Sequence, residues 1–306
     1  MKRLFAFLLC ALLLCGCAPT TPEETTVPPT TEAALDIPAL SDGKTLKVLA
    51  IGNSFSNNTT DYLYQIAAAH GVTDITLGRL YIGGCSLQRH ANNIQTGGIE
   101  YSYYKNTTGV WNKTESVTLL HGLQDEAWDI ITLQQSSGNS GIVNTYNEPL
   151  DIIINYVQEN KTNPDAKLVW HMTWAYQGDS THSDFGNYAN SQEIMYQSIL
   201  AAVDQKILTN DAFCAVIPAG TAVQNARTSF LGDTLTKDGY HLNDFSKVIG
   251  GYIWFATFMG KPLESIELNS IPAGSTITEE QKAVILESVN NALKHPYEIT
   301  PSAYTG

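Results

Sequence analysis

Five short apolar runs, rich in β-branched residues and bounded by glycine or asparagine, recur along the chain at 46–51, 75–82, 129–133, 167–173 and 213–217. Most are continuously apolar rather than alternating, which is the pattern of strands covered on both faces. Between them lie stretches of helical periodicity at 60–70, 149–160, 187–206 and 222–230. Strands alternating with helices require right-handed crossovers and a doubly wound, mostly parallel sheet. Such a sheet offers its ligands the carboxyl ends of its strands. The stretch 42–306 is long enough for one α/β domain with a substantial core.

Two segments depart from that rhythm. The stretch "YSYYKNTTGVWNKTESVTLL" at 101–120 alternates polar and apolar around Thr108-Gly109, the mark of a small hairpin inserted between the second and third strands. The run "FSKVIGGYIWFATFMG" carries apolar residues at Phe245, Val248, Ile249, Tyr252, Ile253, Ala256 and Met259. That stripe belongs to a core helix, and the run is too short to span a bilayer. A last helix at 278–293 opens with "TEEQ", a capping-box sequence.

The N-terminus reads as an address. Lys2 and Arg3 precede the apolar run "LFAFLLCALLLCGC", the form of a secretory signal peptide over 1–16. Leu14-Cys15-Gly16-Cys17 resembles a bacterial lipobox, so cleavage before Cys17 and a lipid on its sulfur are expected. Lipid chains anchor because each buried methylene contributes about 0.8 kcal/mol. Residues 17–41 are rich in Thr, Pro and Glu and almost free of large apolar groups, which makes them a disordered tether. The expectation is a lipoprotein on the outer face of the cell membrane, held there by its lipid alone.

The formal net charge of −13 becomes more negative when Lys2 and Arg3 leave. It argues against nucleic acid and anionic membrane surfaces as partners, since both need clustered Lys and Arg. Of five cysteines, only Cys85 and Cys214 lie in the folded part, as one disulfide or as two buried thiols. No CxxC or HExxH spacing occurs and the histidines are scattered, so no metal site is expected.

The first strand ends in "GNSFS", with Ser54 where the apolar run stops. Turn chemistry alone accounts for Gly, Asn and Ser at such a junction. A nucleophile at a strand's carboxyl end accounts for them equally. The other strand ends decide. Gly83-Gly84-Cys85-Ser86 follows the second strand and Gln134-Gln135-Ser136-Ser137 the third, while Asp238-Gly239-Tyr240-His241 stands just ahead of the core helix. Serine hydrolysis needs a hydroxyl, a base, a group that orients the base, and donors for the oxyanion. Asp-x-x-His in one turn can present carboxylate and imidazole together, one ring nitrogen held and the other facing the serine.

These blocks, GNSFS, GGCSL, LQQ and DGYHL, resemble in order those of the SGNH (GDSL-like) hydrolases, and more narrowly a secreted bacterial branch of unknown function. The resemblance spans nearly all of 44–260. It implies a flavodoxin-like three-layer α/β/α sandwich, with five strands in the sheet and no cofactor. By the same resemblance Ser54 is the nucleophile, His241 the general base and Asp238 its orienter. The N–H groups of Ser54 and Gly84 are then oxyanion donors. Asn53 stands where the family usually has Asp, and the family's Gly-x-Asn-Asp block is missing. The Gln134 amide is the expected substitute for that block's Asn, Gln135 facing the other way and Asn139 remaining an alternative.

His171, Trp174 and Tyr176 lie where the fourth strand runs out and are expected on the same edge as the triad. Together with Tyr101, Tyr103, Tyr104 and Trp111 they would form an aromatic wall for sugar rings, with His90 reaching in from the segment after the second strand. The expected partner is thus an acylated polysaccharide or oligosaccharide, and the expected reaction removal of O-acetyl or other short acyl groups. A glycan-binding protein on an inactive hydrolase scaffold, and an O-acetyltransferase, are alternatives that the same residues admit.

Overall fold

The computed structural model describes residues 38–271 and 274–305. The expected signal peptide, Cys17 and the tether as far as residue 37 lie outside the described residues.

In chain order the strands are β1 (Thr45–Gly52), β2 (Asp74–Tyr81), β3 (Tyr101–Asn106), β4 (Trp111–Val117), β5 (Ile130–Leu133), β6 (Lys167–His171) and β7 (Phe213–Ile217). The helices are α1 (Ser54–Thr60), α2 (Leu63–Ala69), α3 (Leu87–Thr96), α4 (Leu119–Gln124), α5 (Asn147–Asn160), α6 (Gln192–Lys206), α7 (Ala219–Arg227), α8 (Asp244–Met259) and α9 (Glu279–Lys294). All seven strands share one sheet, ordered β4-β3-β2-β1-β5-β6-β7. The five expected strands, β2-β1-β5-β6-β7, are parallel throughout. The hairpin joins them instead of standing apart, β3 pairing antiparallel with β2 and β4 with β3. It thereby covers a row of backbone groups that β2 would otherwise leave unpaired at the edge.

Helices cover both faces. On one, α3 packs on α5 beside α4; on the other, α8 packs against α1, α2, α7 and α9. The architecture is a three-layer α/β/α sandwich. α8 is buried from Val248 to Phe258, a helix apolar all round and enclosed on every side. Its approach to α1 and α2 depends on missing side chains. A Cβ at Gly250 would lie 2.9 Å from Thr59 Cγ2, and one at Gly251 2.5 Å from Ile66 Cδ1.

Several boundaries move from their expected places for local reasons. The first helix begins at Ser54 because the Asn53 side chain caps it, accepting from Phe55 N. It breaks at Asp61-Tyr62 into α1 and α2. α6 starts at Gln192, capped by Ser191, after a separate 3-10 turn at Ser183–Tyr188. α9 carries the expected capping box between Thr278 and Gln281. Cys85 and Cys214 are free thiols, the first buried and the second exposed. Cys214 sits on β7, four strand positions from the β2 edge that leads to Cys85. At about 4.8 Å per position that separation excludes a bond between them. No helix among the described residues is long and apolar enough to cross a membrane.

Candidate active site

β1 delivers Ser54 straight onto the first residue of α1. His241 arrives from 187 residues away, its Nε2 2.7 Å from Ser54 Oγ. His241 Nδ1 lies 2.7 Å from Asp238 Oδ2. A carboxylate only accepts, so Nδ1 carries the ring proton, Nε2 is the acceptor, and the serine hydroxyl donates to it. The Asp238–His241 turn is self-braced, because Asp238 Oδ1 also accepts from the main-chain N–H of His241 at 2.8 Å and of Tyr240 at 3.3 Å. Gly239 at its apex has φ +91, and a Cβ there would meet Ser180 Oγ at 2.9 Å. Burial pushes the Asp238 carboxyl up, but the bonds from the His241 ring and main chain outweigh it and hold the group below its ordinary range.

Two further contacts bind the turn to the segment that carries Ser54. Leu242 N donates to Asn58 Oδ1 on α1 at 2.9 Å. Trp174 stacks on Phe55, rings 4.2 Å apart and 15° from parallel, while its Nε1 donates to Tyr240 O at 2.8 Å. One buried indole thus touches the neighbour of the serine and the neighbour of the histidine.

A cleft of about 500 Å³ opens above the pair. Ser54 and Gly84 both line it, and no hydrogen bond among the described residues uses either main-chain N–H. Gly84 has φ +60 with open space around the missing Cβ, so backbone conformation, not room, calls for glycine there. Tyr81, Ser137, His182 and Tyr240 form further walls. Asp61 lines it too, bridged to buried Arg79 at 2.8 Å and to Lys247 at 3.1 Å. Trp111 of the hairpin lies over Arg79, 3.6 Å from the guanidinium carbon. No group of three or more His, Cys, Asp or Glu among the described residues is placed to hold a metal ion.

Ser54, Gly84, Asp238 and His241 are therefore brought together. Gln134 is not at the cleft. It is buried, its Nε2 donating to Asn53 Oδ1 at 2.8 Å. Gln135 is turned elsewhere, accepting from Leu87 N at 3.0 Å. Asn139 ends a 3-10 turn outside the cleft. The expected sugar wall is corrected as well. His171 and Trp174 are 1% and 0% exposed, since β6 ends at His171 and the chain after it dives beneath the cleft. His90 is 1% exposed and hydrogen-bonded through Nδ1 to Tyr101 OH at 2.7 Å, because α3 lies on the sheet with that side inward. Tyr101 and Tyr103 are buried too. Tyr104 touches Tyr81 edge-on at 6.1 Å, so the hairpin supports one cleft tyrosine. Tyr240 is a cleft residue that the DGYH block contained without announcing it. Its ring lies 4.2 Å from the His241 ring and 4.7 Å from that of His182.

Residues 47–283 match the family described as "Domain of unknown function (DUF4886)". The chain belongs to the DUF4886 family. A crystal structure of a DUF4886 family protein from Bacteroides uniformis superposes with a TM-score of 0.79 at 36% identity, covering 84% of this chain and 98% of that one. Two remoter similarities are an alpha/beta hydrolase enzyme from the metagenome of Lake Arreo, Spain, and a gut microbial diltiazem-metabolizing enzyme. The first has 8% identity and a TM-score of 0.41, covering 70% of this chain and 96% of that one. The second has 12% identity and a TM-score of 0.42, covering 70% and 47%. Among curated proteins none matches the chain.

Proposed function

We propose that this DUF4886 protein is a serine esterase that removes short acyl groups, O-acetyl above all, from carbohydrate outside the cell. The observation that carries the reading is the unbroken relay from Ser54 through His241 to Asp238, with both links at 2.7 Å. His241 Nε2 takes the Ser54 proton as Oγ attacks the ester carbonyl. The main-chain N–H groups of Ser54 and Gly84 stabilise the oxyanion. His241 then protonates the departing sugar oxygen, leaving the acyl group on Ser54. A water activated by the same imidazole releases the acid and restores the serine.

The walls favour a short acyl group on a polar alcohol. Tyrosines, histidines, Lys237 and Asp61 ring the cleft, and none of its lining residues is Leu, Ile, Val or Met. In the same proposal the leader and Cys17 hold the enzyme at the outer face of the membrane, where polysaccharide is within reach.

The test is acetate release from 4-nitrophenyl acetate and acetylated xylan by residues 42–306, with Ser54→Ala alongside. Loss of the nucleophile should lower kcat by on the order of 10⁴-fold or more. No turnover, with no labelling of the wild type by a serine-directed fluorophosphonate, would overturn the reading. Acetyl transfer to an added sugar in preference to water would change hydrolase to transferase.

A further inference from the structure

Beneath the nucleophile runs a buried polar chain that the catalytic cycle does not use. Asn53, Gln134 and His171 are each 1% exposed. His171 Nδ1 lies 2.9 Å from Gln134 Oε1, Gln134 Nε2 lies 2.8 Å from Asn53 Oδ1, and Asn53 Nδ2 donates to Cys85 O at 3.1 Å. Cys85 directly follows Gly84, and Asn53 directly precedes Ser54.

The direction of every bond in this chain is determined. Asn53 Oδ1 accepts from Phe55 N at 3.0 Å, so the oxygen identity of that atom is fixed by a main-chain donor. The Gln134 atom facing it must then be the amide nitrogen, which turns Gln134 Oε1 toward His171. An oxygen facing Nδ1 requires Nδ1 to carry a proton. Burial in an apolar surround drives the His171 pKa down to about 3, so the ring is neutral and Nε2 is bare. That nitrogen has no hydrogen-bond partner among the described residues. It belongs to a ring held edge-on against Trp254 at 5.0 Å.

We infer that His171, Gln134 and Asn53 form a positioning relay that sets Ser54 and Gly84 in register, Gln134 acting through Asn53 and not as an oxyanion donor. The inference rests on the esterase reading above. The relay clamps the Asn53 side chain between two loops, one carrying Ser54 and the other Gly84. It therefore fixes the distance between the two oxyanion donors. A neutral amide is needed at Asn53 because it must accept from Gln134 and donate to Cys85 O at once, which a carboxylate cannot do. His171 keeps Gln134 from rotating its amide by half a turn.

The experiment is a double-mutant cycle on residues 42–306 with 4-nitrophenyl acetate. Gln134→Leu and Asn53→Ala should each lower kcat by about 10²-fold, with KM within about two-fold. The double variant should be no worse than the poorer single one, because both break the same chain. Asn53→Asp keeps Oδ1 but sets a carboxylate oxygen where Nδ2 donates to Cys85 O, so it should lower kcat about as far as Asn53→Ala does. A Gln134 that donated to the oxyanion directly would instead give multiplicative losses with Asn53→Ala, and that result would overturn the inference. So would an unchanged kcat in Gln134→Leu. Nitrogen-15 NMR of imidazole supplies a readout that needs no variant: His171 should show a protonated Nδ1 and a bare Nε2 from pH 8 to 5. The opposite tautomer overturns the relay alone, whereas a wild type that neither turns over nor takes a serine probe overturns the esterase reading with it.

Discussion

At the scale of single residues the site is built on atoms that have only one workable role. Asp238 is the clearest, because it accepts from the His241 ring and from two main-chain N–H groups while remaining ionised. Asp238→Asn is nearly isosteric, yet its amide can present a donor to Nδ1 and so reverse the imidazole tautomer. The expected result is a fall in kcat on the order of 10⁴-fold at pH 7 with the fold intact, read by steady-state kinetics beside circular dichroism. The triad was legible in the sequence because Asp-x-x-His and Gly-Asn-Ser are local patterns, each placed by one turn. His171, Trp174 and His90 were not legible in the same sense. A position near a strand end or on a helix does not say whether the side chain faces cleft or core. For these three the packing of Trp254, Phe55 and Tyr101 decides it. His182 gave no signal at all, since "GDSTHSDFG" has no periodicity from which its direction could be read.

At the scale of elements, the parallel strands were readable from apolar runs alone, since a strand covered on both faces has no polar side to obscure it. The hairpin was readable as a hairpin but not as part of the sheet, because edge pairing is made by backbone groups that side-chain alternation does not report. Its attachment is reinforced by side chains. Arg79 on β2 is buried, ion-paired to Asp61 and covered by Trp111 of β4. Burial pulls the guanidinium down to about 10 against the opposing pull of Asp61. Arg79→Met should destabilise the domain by about 3 kcal/mol in urea unfolding, the lower end for a broken buried pair because Lys247 still reaches Asp61. A loss under about 0.5 kcal/mol would mean that the network adds little beyond packing.

At the scale of the whole molecule, the buried histidines make stability depend on acidity. Burial holds His90 and His171 near a pKa of about 3, against 6.5 for an unhindered imidazole. Above pH 6.5 neither state binds the extra proton and the two residues have no effect. Between pH 6.5 and 3 the unfolded chain takes up protons that the fold refuses, so stability falls as the medium is acidified. The slope should be about 1.4 kcal/mol per pH unit for each histidine, read from urea midpoints. His90→Gln, which keeps a partner for Tyr101, should take about 1.4 kcal/mol per pH unit off it. An unchanged slope would mean that His90 is protonated in the fold.

The separation of Ser54 from His241 by 187 residues has a consequence for biogenesis. The strand that leads to Ser54 and the turn that carries His241 meet only when α8 has seated against α1. A nascent chain, or a fragment that ends before residue 241, contains Ser54, Gly84 and the buried chain beneath them but lacks the imidazole that faces the serine. On the proposed esterase reading, activity is a late event of folding, and a partly made copy has no means of acting on esters it meets along the way.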